Sequence, residues 1–226
     1  MVVFFNPESF ENEEVGKMLE RVDQKLQEML HLPLITDAIN TIRSQLPDHI
    51  NFHTVEHTLD VTREAILFAL VDNLSDREIE LISIATAYHD VGYIKRPRKN
   101  EEIGAQMAAE AMRTAGYSEK EIQAVVSMIE DTEVRLTNKG LEQVGRSALA
   151  GYLLDADLSN FGRADFFKKR VFIFQDLQLP DWKAYLRESL QFIRDHLWKT
   201  PAAKNLREAQ RILNVKLIED IIASLK

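Results

Sequence analysis

The chain has 226 residues, 45% of them hydrophobic, and a formal charge of −8. That is enough apolar material for one sizeable core, while the acidic balance argues against a nonspecific nucleic-acid binder, which needs a basic face. With no cysteine, disulfides, thiolate metal sites and a cysteine nucleophile are excluded, so any metal must be held by imidazole and oxygen.

The opening stretch "MVVFFNPESFENEE" turns acidic at once and lacks the basic start of a signal peptide. No run of eighteen apolar residues suggests a membrane span, so a cytoplasmic location is the expectation. Apolar residues then recur every three or four positions. Met18, Leu19, Val22, Leu26, Met29 and Leu30 predict a first amphipathic helix, stopped near "HLP" at 31–33. Leu34, Ile35, Ala38, Ile39, Ile42 and Leu46 predict a second, ended before Pro47. A third is expected from around 51–54 to about 73. Ser75 with Glu78, and Ser118 with Glu121, read as capping boxes opening two more. The helix from Ser75 ends in "YHDVG", where Gly92 suits a stop. Further helices are expected over roughly 145–160, 161–176 and 181–199, and a last one after the Thr200 cap with Pro201 in its first turn. No alternating strand pattern stands out, and 95–100 and 135–145 read as linkers. The expectation is a single all-α domain over 1–226.

Three polar interruptions break this apolar pattern. In "NFHTVEHTLDV", His53 and His57 are four apart, which puts both on one face if the segment is helical. In "AYHDVGY", His89 and Asp90 follow small residues that allow a close helix neighbour. In "GYLLDADLSNFG", Asp155 and Asp157 point in nearly opposite directions, so one of them can face a shared interior. Buried imidazoles and carboxylates are costly unless paired or metal-bound. Each cluster alone has an ordinary explanation: a helix start, a chance dipeptide, a cap. Together they form a nitrogen–oxygen donor set suited to Mn, Fe, Co, Ni, Zn or Mg.

The order of these clusters, with "FHTVEHTLDV" and "DADLSNFG" as flanks, resembles the HD superfamily of metal-dependent phosphohydrolases over roughly residues 50–165. The resemblance implies an all-α HD-like core with helical extensions on both sides. It implies His57, His89, Asp90 and Asp157 as metal ligands, with His53 as proton donor and Asp90 as the second catalytic residue. It also selects Asp157 over Asp155. Dinuclear relatives carry further histidines between the His-Asp pair and the last aspartate; this chain has none between 89 and 196, which favours one divalent ion. Asn100, Glu101, Glu102, Glu130 and Asp131 stand as side chains that could help hold a second. Asp60, Glu64 and Asp155 stand as groups that could orient the ligands.

The basic cluster "KRPRK" at 95–99 makes Lys95 and Arg96 candidate phosphate-binding residues, with Arg163 a weaker one. Lys168, Lys169 and Arg170 read as a solvated face, and the phenylalanine-rich stretch 166–174 as core. The expected activity is hydrolysis of a small phosphoester, nucleotides included, by metal-activated water. The expected partner is that small substrate, with no nucleic-acid polymer, no membrane, and a homo-oligomer left open. The alternative is a binding or regulatory module that kept the fold without turnover.

Overall fold

A computed structural model describes residues 13–138 and 140–225. The N-terminal stretch that bears on the signal peptide lies outside the described residues. The helices are Glu13–Leu30 (α1), Pro33–Gln45 (α2), Val55–Val71 (α3), Asp76–Tyr88 (α4), Asn100–Thr114 (α5), Glu119–Glu130 (α6), Ala148–Asp157 (α7), Phe166–Asp176 (α8), Trp182–Asp195 (α9) and Pro201–Ser224 (α10). Two 3-10 turns, Val91–Ile94 and Ser159–Gly162, follow α4 and α7. The fold is all-α, as the apolar spacing predicts.

Local chemistry sets most boundaries. Both capping boxes form: the Ser75 and Ser118 hydroxyls accept from the amides of Glu78 and Glu121, whose carboxylates accept the serine amides in return. Thr200 caps α10 by accepting from Ala203 N, and Pro201 opens its first turn. Leu46, before Pro47, is already extended, which ends α2. Gly92 does not stop α4 by left-handed geometry. It lies in the 3-10 turn, where an added Cβ would come within 2.0 Å of Asn100 O. Its job is to let the start of α5 approach the His-Asp pair.

Two features depart from the expected pattern. Helix α5 fills 100–114, directly after the expected linker. The other linker holds an antiparallel hairpin, Val134–Thr137 (β1) against Gly140–Gln143 (β2), with Val134 opposite Gln143. Each strand is four residues, too short for alternation to stand out, and burial does not follow it: Leu136 is 81% exposed while Gln143 is buried. The helices expected at 145–160, 161–176 and 181–199 are each shorter; in particular, 196–200 runs non-helical between α9 and α10.

Helix α3 lies at the centre, packed on α1, α4 and α7. Its face of Val61, Ala65 and Phe68 joins Ile82, Ala85, Leu153 and Ala156 in the main apolar core. A smaller core of Leu158, Phe161, Phe166, Phe192, Ile193 and Ile218 ties α8, α9 and α10 to the turn after α7. The phenylalanine-rich helix α8 is thus core at Phe166, while Val171 is exposed. No helix among the described residues is long and apolar enough to cross a membrane.

Candidate metal centre and the adjoining cavity

Helices α3, α4 and α7 bring the three polar interruptions to one point. Along the α3–α4 contact the Thr62 and Thr86 hydroxyls share a hydrogen bond of 2.8 Å, which satisfies two buried polar groups at a close crossing. One turn on, the Thr86 carbonyl lies 2.7 Å from His89 Nδ1. That contact places the proton on Nδ1 and leaves Nε2 as the free donor atom.

His89 Nε2 lies 3.1 Å from Asp90 Oδ2 and 3.7 Å from Asp157 Oδ1. His57 Nε2 lies 3.3 Å and 3.2 Å from the same two oxygens. Despite these distances, His57 Nε2, His89 Nε2 and Asp90 Oδ2 are buried and close no hydrogen bond. Groups this near yet misaligned are aimed at a common point rather than at one another. Ligands about 2.0–2.2 Å from one cation, at tetrahedral or octahedral angles, sit roughly 3.0–3.5 Å apart. The donor set therefore fits a single divalent ion of borderline or hard character. The ligand atoms of His57, His89 and Asp90 all lie within 4.8 Å of one another, and this buried cluster could hold a metal. Asp157 Oδ1 adds a fourth donor.

The charges balance accordingly. Burial would push both imidazoles toward neutrality, but Asp90 and Asp157 outweigh it: His57 is raised, and His89 raised well above its ordinary value. Burial opposes ionisation of the two carboxylates as well, yet the histidines hold both below the usual carboxylate range. A cation would take the place of those protons.

Gln143, in the stretch expected to be a linker, reaches this cluster from β2. Its amide donates 2.7 Å to Asp157 Oδ2 and 2.8 Å to the Thr132 carbonyl, which turns Oδ1 toward the histidines. No spacing or residue-type signal in the sequence singles it out.

His53 does not share a helical face with His57. Helix α3 begins at Val55, and Thr54 is extended, so the two rings stand edge to face with centroids 6.0 Å apart. His53 stacks on Tyr93 at 3.9 Å, and its Nδ1 lies 3.3 Å from Asp176 Oδ2 on α8. Asp176 also accepts the amides of Asn51 and Phe52, fixing the segment that carries His53. Burial works against its charge, but these donors hold its carboxyl below the ordinary value.

Other expected site residues are committed elsewhere. Asp155 is fully buried and accepts from the Lys199 and Thr200 amides and the Thr200 hydroxyl, so it anchors the run into α10. Asp60 pairs with Arg163 and Lys169, and Glu64 holds Arg207 bidentately. Arg163 and Lys169 are therefore structural partners, with Asp165 also beside them. Glu130 and Asp131 both bind Arg146. Glu102 binds Arg96 and Lys99.

A cavity of about 550 Å³ opens beside the cluster, bordered by His53, Asp90, Tyr93, Asn100, Glu101 and Asp157 among others. Lys95 and Arg96 are exposed and do not border it; from that basic loop Arg98 and Lys99 do. Arg170, expected on a solvated face, is buried and forms part of the cavity wall. Glu101 borders the cavity half-buried, its carboxyl raised chiefly by burial and then by Asp90 and Glu133.

No protein-family model matches the chain, and no curated protein matches it by sequence. Among solved structures it is similar to a predicted HD superfamily hydrolase from an uncultured Thermotogales bacterium. The two are 19% identical with a TM-score of 0.59, over 88% of this chain and 98% of the other. The fold is thus that of an HD-domain protein.

Proposed function

We propose that this HD-fold chain is a metal-dependent hydrolase of a small phosphoester. The observation that carries the reading is the set of buried, unbonded donor atoms on His57, His89 and Asp90, closed by Asp157 Oδ1. These four side chains would hold one divalent ion. Bound there, the ion supplies Lewis acidity, acidifying water and drawing charge from a phosphoryl oxygen.

The chain's own groups do the rest. Asp90 borders the cavity and orients the attacking water by accepting from it. With Nδ1 turned to Asp176, His53 keeps Nε2 as the atom that delivers a proton to the leaving oxygen. The Tyr93 ring fixes the plane of that imidazole from one side. Gln143 prevents Asp157 from rotating away from the histidines. The acidic surface and a cavity of this volume favour a small phosphorylated substrate over a nucleic-acid polymer.

The test is elemental analysis of freshly purified protein. It is followed by stripping, reloading with Mn, Fe, Co, Ni, Zn or Mg, and a nucleotide and phosphoester panel. Stoichiometric metal with turnover abolished by Asp90→Ala is expected. Tight ligand binding with no turnover under any ion would identify a non-catalytic module instead, and absence of stoichiometric metal would sink the reading.

A further inference from the structure

Arg170 is the only lysine or arginine among the described residues that is buried outright, at 6% exposure. Other guanidiniums near it have carboxylates: Arg163 faces Asp60 and Asp165, and Arg207 is gripped by Glu64. The side chain before it, Lys169, pairs with Asp60. No carboxylate among the described residues forms an ion pair with Arg170. Its Nε is buried without a hydrogen-bond partner. Its guanidinium lies 5.4 Å and 5.5 Å from the Phe161 and Phe166 ring centroids, which support a cation but offer it no acceptor.

An arginine left this way in an acidic protein lacks an anion. It also borders the right space. Arg170 and Ile173 share one face of α8, Leu177 follows at its C-terminal cap, and all three border the cavity that reaches Asp90 and Asp157. Tyr185, on α9, also borders this cavity and closes no hydrogen bond with its buried hydroxyl, although Ser189 is its polar neighbour. The cavity wall therefore carries the candidate metal residues Asp90 and Asp157, the buried Arg170, the exposed Arg98 and Lys99, and apolar side chains.

We propose that Arg170 is the anion-binding residue of this cavity. It grips an anionic group of a small organic phosphate whose apolar body lies along Ile173 and Leu177. The assignment deepens, and rests on, the hydrolase reading above. The planar guanidinium suits phosphate because its fork donates two parallel N–H bonds. Lys95 and Arg96, which do not border the cavity, are then not its phosphate-binding residues.

The experiment uses the full chain, as purified and after chelation, titrated with inorganic phosphate by calorimetry and followed by thermal unfolding. Wild type is expected to bind one phosphate per chain under both conditions. Arg170→Met should weaken that binding by on the order of tenfold or more. Without phosphate it should unfold no earlier than wild type, because it removes an unpaired buried cation. Arg170→Lys, which keeps the charge but loses the fork, should fall between the two. It carries the test if Arg170→Met does not fold, a lysine variant equal to wild type then overturning the proposal. Unchanged phosphate binding in Arg170→Met, or the loss appearing in Arg96→Ala instead, overturns it too. Phosphate binding through Arg170 in a protein that takes up no metal would sink the hydrolase reading alone. Full metal uptake with phosphate binding indifferent to Arg170 would sink this assignment alone.

Discussion

Asp155 and Asp157 stand two residues apart on α7 and do opposite work. Asp155, fully buried, is surrounded by donors from the chain entering α10. Asp157 sits at the helix end, one oxygen taken by Gln143 and the other facing two imidazoles that give it no aligned hydrogen bond. The donors around Asp155 tie the chain entering α10 to α7, although burial works against the charge of Asp155. Asp157 is held ionised by the two imidazoles beside it, within a cluster of buried polar atoms that close no hydrogen bond and suit a ligand. The proposed metal role and a structural anchor thus lie within half a turn of one helix, and substitutions can pull them apart.

The sharpest separation is expected from Asp157→Asn. Removing the charge should lower turnover by at least about a thousandfold and reduce bound metal. Apo stability should hold, which paired activity assays and thermal unfolding check. A variant that unfolds without losing metal would erase the contrast. Asp155→Ala should do the reverse, costing about 2–5 kcal/mol in denaturant unfolding through stranded donors at Lys199 and Thr200. Metal per chain should not change.

The same residue predicts a pH dependence. Burial pushes the Asp155 carboxyl up to about 6, against the pull of its amide and hydroxyl donors. The native state therefore holds this proton more tightly than the unfolded chain, so its contribution is full below about pH 4 and is lost as pH rises through about 6. Compared with Asp155→Asn, which cannot titrate, wild type should lose up to about 3 kcal/mol of relative stability across that window. Unfolding curves at pH 4, 5, 6 and 7 measure it, and parallel profiles for the two proteins would contradict it. The smallest effect is expected from Gln143→Ala, which frees Asp157 to rotate. Metal affinity should fall about tenfold with the fold intact, as read by competition with a chelating dye.

Much of this was legible in the residue order. Apolar spacing and the two capping boxes set the helices, because those signals are local: each depends on side chains three or four positions apart. The order of His57, His89-Asp90 and Asp157 marked candidate metal ligands by resemblance, and the structure brings these side chains together into a cluster that could hold a metal. The acidic composition and absent cysteine bounded the chemistry before any fold was known.

Tertiary structure decided which polar residues were spoken for. Asp60, Glu64 and Asp155 look like candidates until their partners at 163, 207 and 199–200 come into reach, more than forty positions away. Arg170 looks like one of three consecutive solvated cations until α8 turns it inward and leaves it without a carboxylate. Gln143 gains a role because the β1–β2 hairpin carries it to Asp157. Local sequence records periodicity and caps. The pairing of charges across long separations is fixed by packing, and packing determines whether a polar side chain supports the fold or waits for a ligand.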